Sequence, residues 1–310
     1  MALITAARIN NLQSRIALVL GNGAGENGYG QTLLSSQVSN QGGIIDADDM
    51  NNIYADILKA RVHQVGPGDI SIAQVIEDQN IVGEEDSNFI SDSGLVTNDA
   101  DGAKKGIADY ETLMTSVETD KAIVHASQAV SEAAIASVRT NVWNGLIYHQ
   151  VDVTFTDADH RRHFFNTGGE IRFAANVTSA STAKGLDWAA LCSEIGTVKF
   201  TNQTTNATGD GAGSAIGNFD LTSSEQTIYQ KTGSGTYSGI YAGNLYTVKA
   251  KELTTSRIQF KIEFNDVVQD FNPNFDNNVD GRLESTVTQY RANADVGVNA
   301  PSYANTNSIT

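Results

Sequence analysis

The segment Asp157–His163 gathers carboxylate, imidazole and guanidinium groups within a few residues. His160 and His163 are three residues apart, and with the aspartates of the same segment they could ligate a divalent metal. Arg161 and Arg162 stand between the histidines, however, and their charges oppose a second cation. We therefore expect an ion-paired connection between two strands here rather than a metal site. The other histidines have no companions in the local sequence: His63, His125 and His149.

A second oxygen-rich segment runs from Asp270 to Gly281. Its density of Asp and Asn side chains is typical of calcium sites, which take oxygen ligands. The spacing differs from that of an EF-hand, because Pro273 interrupts the loop and no glutamate closes it. A long hairpin loop built from Asx turns is the favoured interpretation, and calcium binding at Asp270–Asp280 is kept as a minor hypothesis.

The glycine-rich stretch Gly23–Gly28 matches the dinucleotide-binding fingerprint as a string of letters. That fingerprint needs a strand before it and a helix after it, so that the pyrophosphate meets free amides at the helix N-terminus. Here a helical pattern precedes the glycines and polar loop residues follow them. The chain also lacks the Gly-Lys-Ser/Thr of a P-loop. The sequence therefore predicts a glycine loop, extended by Gly30, rather than a nucleotide site.

Hydrolytic nucleophiles are not marked by any motif. No Gly-x-Ser-x-Gly elbow occurs, and the single cysteine, Cys192, lies in an apolar helical stretch where we expect it to be packed. Carboxylates are abundant, so a glycosidase pair stays open, although two tryptophans provide few platforms for sugar stacking. We assign no catalytic residue, no cofactor-binding residue and no metal ligand. We expect a protein that is not an enzyme and that needs no cofactor.

Three helical patterns occupy the first part of the chain. The first ends at Gly21, the second begins after the N-cap candidate Asp46 and stops at Gly66, and the third runs from about residue 104 to 125. An acidic connector, Gly83–Asp101, precedes the third and reads as a solvated loop. The apolar positions of the three helices are Ile9, Leu12, Ile16 and Val19; Met50, Ile53, Ile57 and Leu58; and Ile107, Tyr110, Leu113, Met114 and Val117.

After about Trp143 the apolar residues alternate, which indicates half-buried strands. We predict strands at about residues 148–156, 170–174, 197–201, 245–251, 257–264 and 283–290, and one short helix at 186–195. Strands of this kind with Gly, Asn and Ser turns are typical of an antiparallel sandwich. The predicted fold is α+β, with a helical assembly or attachment region at residues 1–140, an antiparallel β-sandwich domain at 141–292 and an extended tail at 293–310.

The charge of the chain excludes some partners. The 310 residues include 36 acidic and 20 basic side chains, a formal charge of −16, which repels both nucleic acid and anionic membranes. One cysteine excludes an intramolecular disulfide. No apolar run is long enough to span a membrane, and Arg8 and Arg15 interrupt the first apolar stretch, so we expect neither membrane insertion nor a signal peptide.

Six segments are distinctive as strings of letters. They are Ile9–Ala17, Gly28–Gln31, Met50–Ile57, Ala60–Gln64, Asp157–Phe173 and Val279–Leu283. They resemble structural proteins of marine tailed bacteriophages of the cyanophage type, and the resemblance covers most of the chain. That family consists of virion or tail-fibre-like proteins without an assigned chemistry, so the resemblance transfers no catalytic residue.

The resemblance implies a non-enzymatic virion component, made in the host cytoplasm, most simply a tail fibre or a fibre-attachment, tail-associated protein. The alternatives are a capsid decoration or vertex protein and a virion-associated glycan hydrolase. Virion parts are built from symmetric copies, so we expect a homo-oligomer, and a trimer if the chain forms a fibre. Further expected partners are neighbouring virion proteins and, for a fibre, a host surface receptor; we expect no direct contact with nucleic acid.

Overall fold

The computed structural model describes residues 5–38, 45–67, 106–267 and 276–309. Its helices are α1 (Ala6–Leu20), α2 (Ala47–Val65), α3 (Ile107–Thr119), α4 (Ala158–Asn166) and α5 (Ala183–Ile195). Its strands are β1 (Ala129–Arg139), β2 (Gly145–Thr154), β3 (Glu170–Thr178), β4 (Thr197–Phe200), β5 (Thr205–Ala207), β6 (Gln226–Thr232), β7 (Leu245–Thr254), β8 (Arg257–Asp266), β9 (Arg282–Ala292) and β10 (Ser302–Asn307). The predicted α+β fold, helices first and an antiparallel sandwich after them, is confirmed.

The chain divides into two compact units. The helical unit comprises Met1–Val130, Arg162–Gly168 and Ala292–Val298; the sandwich unit comprises Ser131–Arg161, Gly169–Arg291 and Asn299–Thr310. The boundaries that we expect after residues 140 and 292 stay predictions. The acidic connector Gly83–Asp101 and the first half of the Asp270–Gly281 loop lie outside the described residues.

In the helical unit, α1, α2 and α3 pack on one another through the apolar positions that their sequences mark. The second helix begins as predicted: Asp46 accepts a hydrogen bond from Asp49 N, and the Asp49 side chain accepts one from Asp46 N, a reciprocal cap. The third helix is shorter than predicted. It ends at Thr119, because Val117 is the last buried position of its apolar face and the chain turns at Asp120.

Two ion pairs connect helix α1 to helix α3 on their outer faces. Arg8 and Arg15 of α1 bind Glu111 and Glu118 of α3 at 2.6 and 2.7 Å. An apolar cluster lies beneath them and includes one loop tyrosine, Tyr29. Its hydroxyl donates to Lys121 O at 2.6 Å and accepts from Gln64 Nε2 at 3.0 Å, so the chain after α1 is tied to the ends of α2 and α3.

The sandwich unit consists of two five-stranded sheets. Their strand orders are β1-β9-β3-β4-β5 and β10-β2-β8-β7-β6. Inward side chains of the two sheets meet face to face: the ring of Phe260 on β8 lies 4.9 Å from that of Phe173 on β3 and 5.1 Å from that of Phe200 on β4. Burial of such aromatic pairs is the main apolar contribution to a sandwich core.

Four strands were not predicted, because none of them shows a clear alternation of apolar and polar residues. Strand β1 is rich in alanine and serine, and β5 is only three residues long. The register of β6 shifts between Thr227 and Tyr229, so Ile228 and Tyr229 are both buried although adjacent. Strand β10 is polar and pairs with β2 at the edge of its sheet, which requires little apolar surface.

Candidate functional site

The histidine segment connects strand β2 to strand β3, as we predicted, but it does so as a helix, which we did not predict. Residues from Ala158 to Asn166 form the helix α4, whose first turn is stabilised by Asp157 Oδ1 accepting from His160 N at 2.7 Å. The predicted ion pairing is present: Arg161, almost fully buried, binds Glu252 Oε2 at 2.6 Å. The helix was not predicted because this short, highly charged segment shows no apolar period; the buried apolar residues of α4 are the adjacent pair Phe164 and Phe165.

Neither histidine of α4 stands in a metal cluster. His160 Nε2 binds the Asn299 amide at 2.9 Å, and the His163 ring lies directly against Gly30, where any side chain would overlap it. Across the described residues, no three His, Cys, Asp or Glu side chains lie close enough together to hold a metal ion.

The glycine loop after α1 is occupied by protein groups. Arg162 Nη1 donates to the carbonyl oxygens of Asn27 (2.7 Å) and Gly25 (3.1 Å), and Asn166 Nδ2 donates to Gly28 O at 3.0 Å. A helix precedes the loop, and no strand does. The loop presents carbonyls to cations of its own chain rather than amides to a phosphate, as expected from its sequence context.

Asp280, in the described half of the oxygen-rich loop, binds the two residues that precede helix α5, the second of which, Thr182, is the N-cap of that helix. Its carboxylate accepts hydrogen bonds from the backbone and hydroxyl groups of both Ser181 and Thr182. Partial burial opposes ionisation, but these hydrogen bonds outweigh it and lower the pKa of Asp280 to about 2. Gly185, in the first turn of α5, makes room for this carboxylate. Calcium binding at the loop stays a prediction, since residues 270–275 lie outside the described ranges.

The thiol of Cys192 is buried on α5, as predicted. Burial raises its pKa to about 12, so almost no thiolate exists near neutral pH. This cysteine is a packing residue.

The most unusual chemistry of the sandwich unit is a buried polar cluster formed by Lys184, Asp266, Asn244 and Trp188. Lys184 Nζ lies 2.7 Å from Asp266 Oδ2, and both side chains are inaccessible to solvent. Lys184 Nζ also donates to the carbonyl of Asn277 at 3.3 Å. Buried charges without hydrogen-bonding partners are strongly destabilising, so this pair requires the groups around it.

Asn244 completes the cluster. Its amide satisfies both neighbours when Nδ2 donates to Asp266 Oδ1 (3.0 Å) and Oδ1 accepts from Trp188 Nε1 (3.1 Å). Rings enclose the cluster: Trp188 packs on Trp143 and Phe264 at 5.0 and 6.1 Å between centroids.

Local structure explains why these side chains meet. Lys184 and Trp188 are four residues apart on α5 and therefore share one helix face. Asp266 has the same parity on β8 as Ile262 and Phe264, so it points into the core, opposite Gly145 of β2. Sequence reasoning missed this cluster. The one local signal was the parity of Asp266, which continues the buried alternation with a charge.

No family model, no curated protein and no solved structure matches this chain. In the part of the chain that the structure describes, no helix has both the length and the apolar character for crossing a membrane.

Proposed function

We propose that the chain is a non-enzymatic structural component of a bacteriophage virion, a tail fibre or tail-associated protein that assembles with copies of itself. Support comes from the resemblance of the sequence to cyanophage structural proteins and from an apolar row on the outer face of the sandwich unit. A row of this kind favours contact with another protein surface over an isolated chain.

The outer apolar row consists of Leu146, Leu245 and Val267. Leu146 on β2 and Leu245 on β7 both pair with Asn265 on β8, one from each side, so the two leucines lie on the same face with Asn265 between them. Val267 is the residue after β8, and the alternation of that strand predicts that it lies on this outer face too. Leu146 and Val267 are 51% and 47% exposed. This row is the observation that carries the proposed self-association.

The oligomeric state of the purified chain tests whether the outer apolar row mediates self-association. We expect a stable oligomer by light scattering, and we expect Leu146→Ser to weaken it. Burying the exposed half of one leucine contributes about 1 kcal/mol, so the dissociation constant should rise about fivefold. Leu34→Ser is the matched control, since Leu34 is 65% exposed on the helical unit. A strictly monomeric chain at high concentration, or equal effects of the two variants, would contradict this use of the row.

The virion assignment has its own test. Antibodies against the chain should label purified particles of the phage that encodes it, and immunogold on the tail is the expected result. Quantitative mass spectrometry of the particles then gives the copy number: a few to some tens per particle fits a tail component, and hundreds fit capsid decoration. Absence of the chain from purified particles would refute the proposal.

A further inference from the structure

The buried polar cluster of the sandwich unit contains an amine, a primary amide and a carboxylate that contacts both. Asp266 binds Lys184 through one oxygen, at 2.7 Å, and its other oxygen accepts from Asn244 Nδ2, at 3.0 Å, in the amide orientation that satisfies both neighbours of Asn244. We propose that Lys184 and Asn244 are joined by an intramolecular isopeptide bond, which the cluster forms by itself after folding. This inference rests on the cluster alone and is independent of the proposed virion function.

Each neighbour has a role that the reaction requires. Lys184 is the nucleophile, and Asp266 is the only carboxylate that the structure places on its Nζ among the described residues. Asn244 Cγ is the electrophile, and the indole N–H of Trp188, 3.1 Å from Asn244 Oδ1, polarises the carbonyl and stabilises the oxyanion that develops there. The donor is fixed before reaction, because Trp188 is fully buried among other rings.

Exclusion of water favours the reaction. In a buried site, an amine beside a protonated carboxyl avoids the penalty of holding two charges away from solvent, so the ammonium can pass a proton to Asp266 and become nucleophilic. Lys184 is inaccessible to solvent and Asn244 is 2% exposed, so water does not compete for the amide carbon. Both reactants are held on the same carboxylate, which supplies the proximity of an intramolecular reaction.

The steps balance. The Lys184 ammonium gives one proton to Asp266, and its lone pair attacks Asn244 Cγ to form the new C–N bond. The nitrogen of the tetrahedral intermediate loses a second proton, Asn244 Nδ2 gains one through Asp266, and the old C–N bond breaks to release ammonia. The product is a secondary amide, and Asp266 ends as a neutral acid that donates to it. No oxidant, reductant or metal is involved.

The bond would connect the first turn of α5 to the residue before β7. It would close a loop across the core from residue 184 to residue 244 and replace a buried ion pair by uncharged groups. Such a link restricts the unfolded chain as a disulfide does, in a protein whose single cysteine cannot form one within the chain.

Intact-mass measurement of the purified full chain, denatured, tests the proposal. The expected mass is lower than that of the sequence by one ammonia molecule. Trypsin should fail to cleave after Lys184, and the digest should contain residues 173–199 joined to residues 232–249. A mass equal to that of the unlinked sequence overturns the proposal. Loss of one water molecule instead would place the bond at Asp266 and overturn the role of Asn244.

Variants separate the roles. Lys184→Met and Asp266→Ala should each give the full, unlinked mass, the first by removing the nucleophile and the second by removing the proton carrier. Lys249→Arg is the matched control: this amine pairs with Glu263 elsewhere in the unit, and the variant should still lose ammonia. Ammonia loss that persists in Lys184→Met would refute the assignment. If the buried variants do not fold, the wild-type mass alone decides.

Discussion

Gly185→Ala should destabilise the protein, although replacing glycine by alanine in a helix ordinarily stabilises it by up to about 1 kcal/mol. Gly185 is the third residue of α5 and is buried. A methyl group there would overlap Asp280 Oδ1 and would lie 3.0 Å from both Asp280 O and Ala180 Cβ. The carboxylate would have to leave its place on Ser181 and Thr182.

The size of the effect follows from the hydrogen bonds that Asp280 would lose. Bonds to an ionised group are worth about 1.5–3 kcal/mol each, and displacement breaks at least two of them. Two bonds at the lower end of that range amount to about 3 kcal/mol. After the helical gain of about 1 kcal/mol is set against them, we expect a net loss of about 2 kcal/mol in the free energy of unfolding.

Urea unfolding followed by circular dichroism measures this loss, and a double-mutant cycle isolates its cause. With Asp280→Ala already present, the overlap with the carboxylate is absent, and Gly185→Ala should no longer destabilise the protein. Gly239→Ala is the control, because no atom lies within 4 Å of the position a methyl group would take there. A stabilising Gly185→Ala, or the same change in both backgrounds, would show that the carboxylate does not set the tolerance of this position.

Three further predictions concern the helical unit. Asp56 accepts hydrogen bonds from Ser35 N (2.8 Å) and Ser35 Oγ (2.6 Å), so Asp56→Ala leaves a buried donor unpaired and should lower the free energy of unfolding by about 3 kcal/mol in urea titrations. Tyr29→Phe removes the hydroxyl that donates to Lys121 O, and should cost about 1–2 kcal/mol in the same assay. Burial lowers the pKa of His63 to about 4 despite its hydrogen bond to a backbone carbonyl, so its neutral form is favoured by folding. That contribution is complete above the unfolded pKa of about 6.5 and is lost as the pH falls toward 4; His63→Gln should reduce the pH dependence in this window.

The opposite results are equally measurable. Asp48→Ala, in the first turn of the same helix, is the control for Asp56→Ala. If the two variants had the same free energy of unfolding, the hydrogen bonds of Asp56 would make no net contribution to stability. An unaltered stability of Tyr29→Phe would mean that water replaces the hydroxyl. A pH profile unchanged by His63→Gln would assign the acid sensitivity to other groups.

Local patterns were sufficient for most of the elements but not for the buried polar cluster. Strand β8 is predicted from its apolar residues at every second position, because such alternation indicates a strand with one buried face. These residues are Ile258, Phe260, Ile262 and Phe264. Asp266 continues this every-second-residue pattern, yet in the sequence a carboxylate at that position indicates the end of a strand. Its burial depends on Lys184, more than eighty residues earlier, and no local pattern records such a pairing. Helix α4 escaped prediction for a related reason, since its buried side is set by what it packs against.

The pairing of β10 with β2 affects the order in which the sandwich is completed. Ser302 and Thr154 are opposite one another although 148 residues apart in sequence, so during synthesis β2 emerges long before its outer neighbour exists. Until then one edge of β2 has unpaired amides and carbonyls, and strands with open edges pair readily with other chains. Nascent chains synthesised on the same messenger RNA would each expose this unpaired edge of β2. We therefore expect pairing with β10 of the same chain to compete with strand exchange between copies.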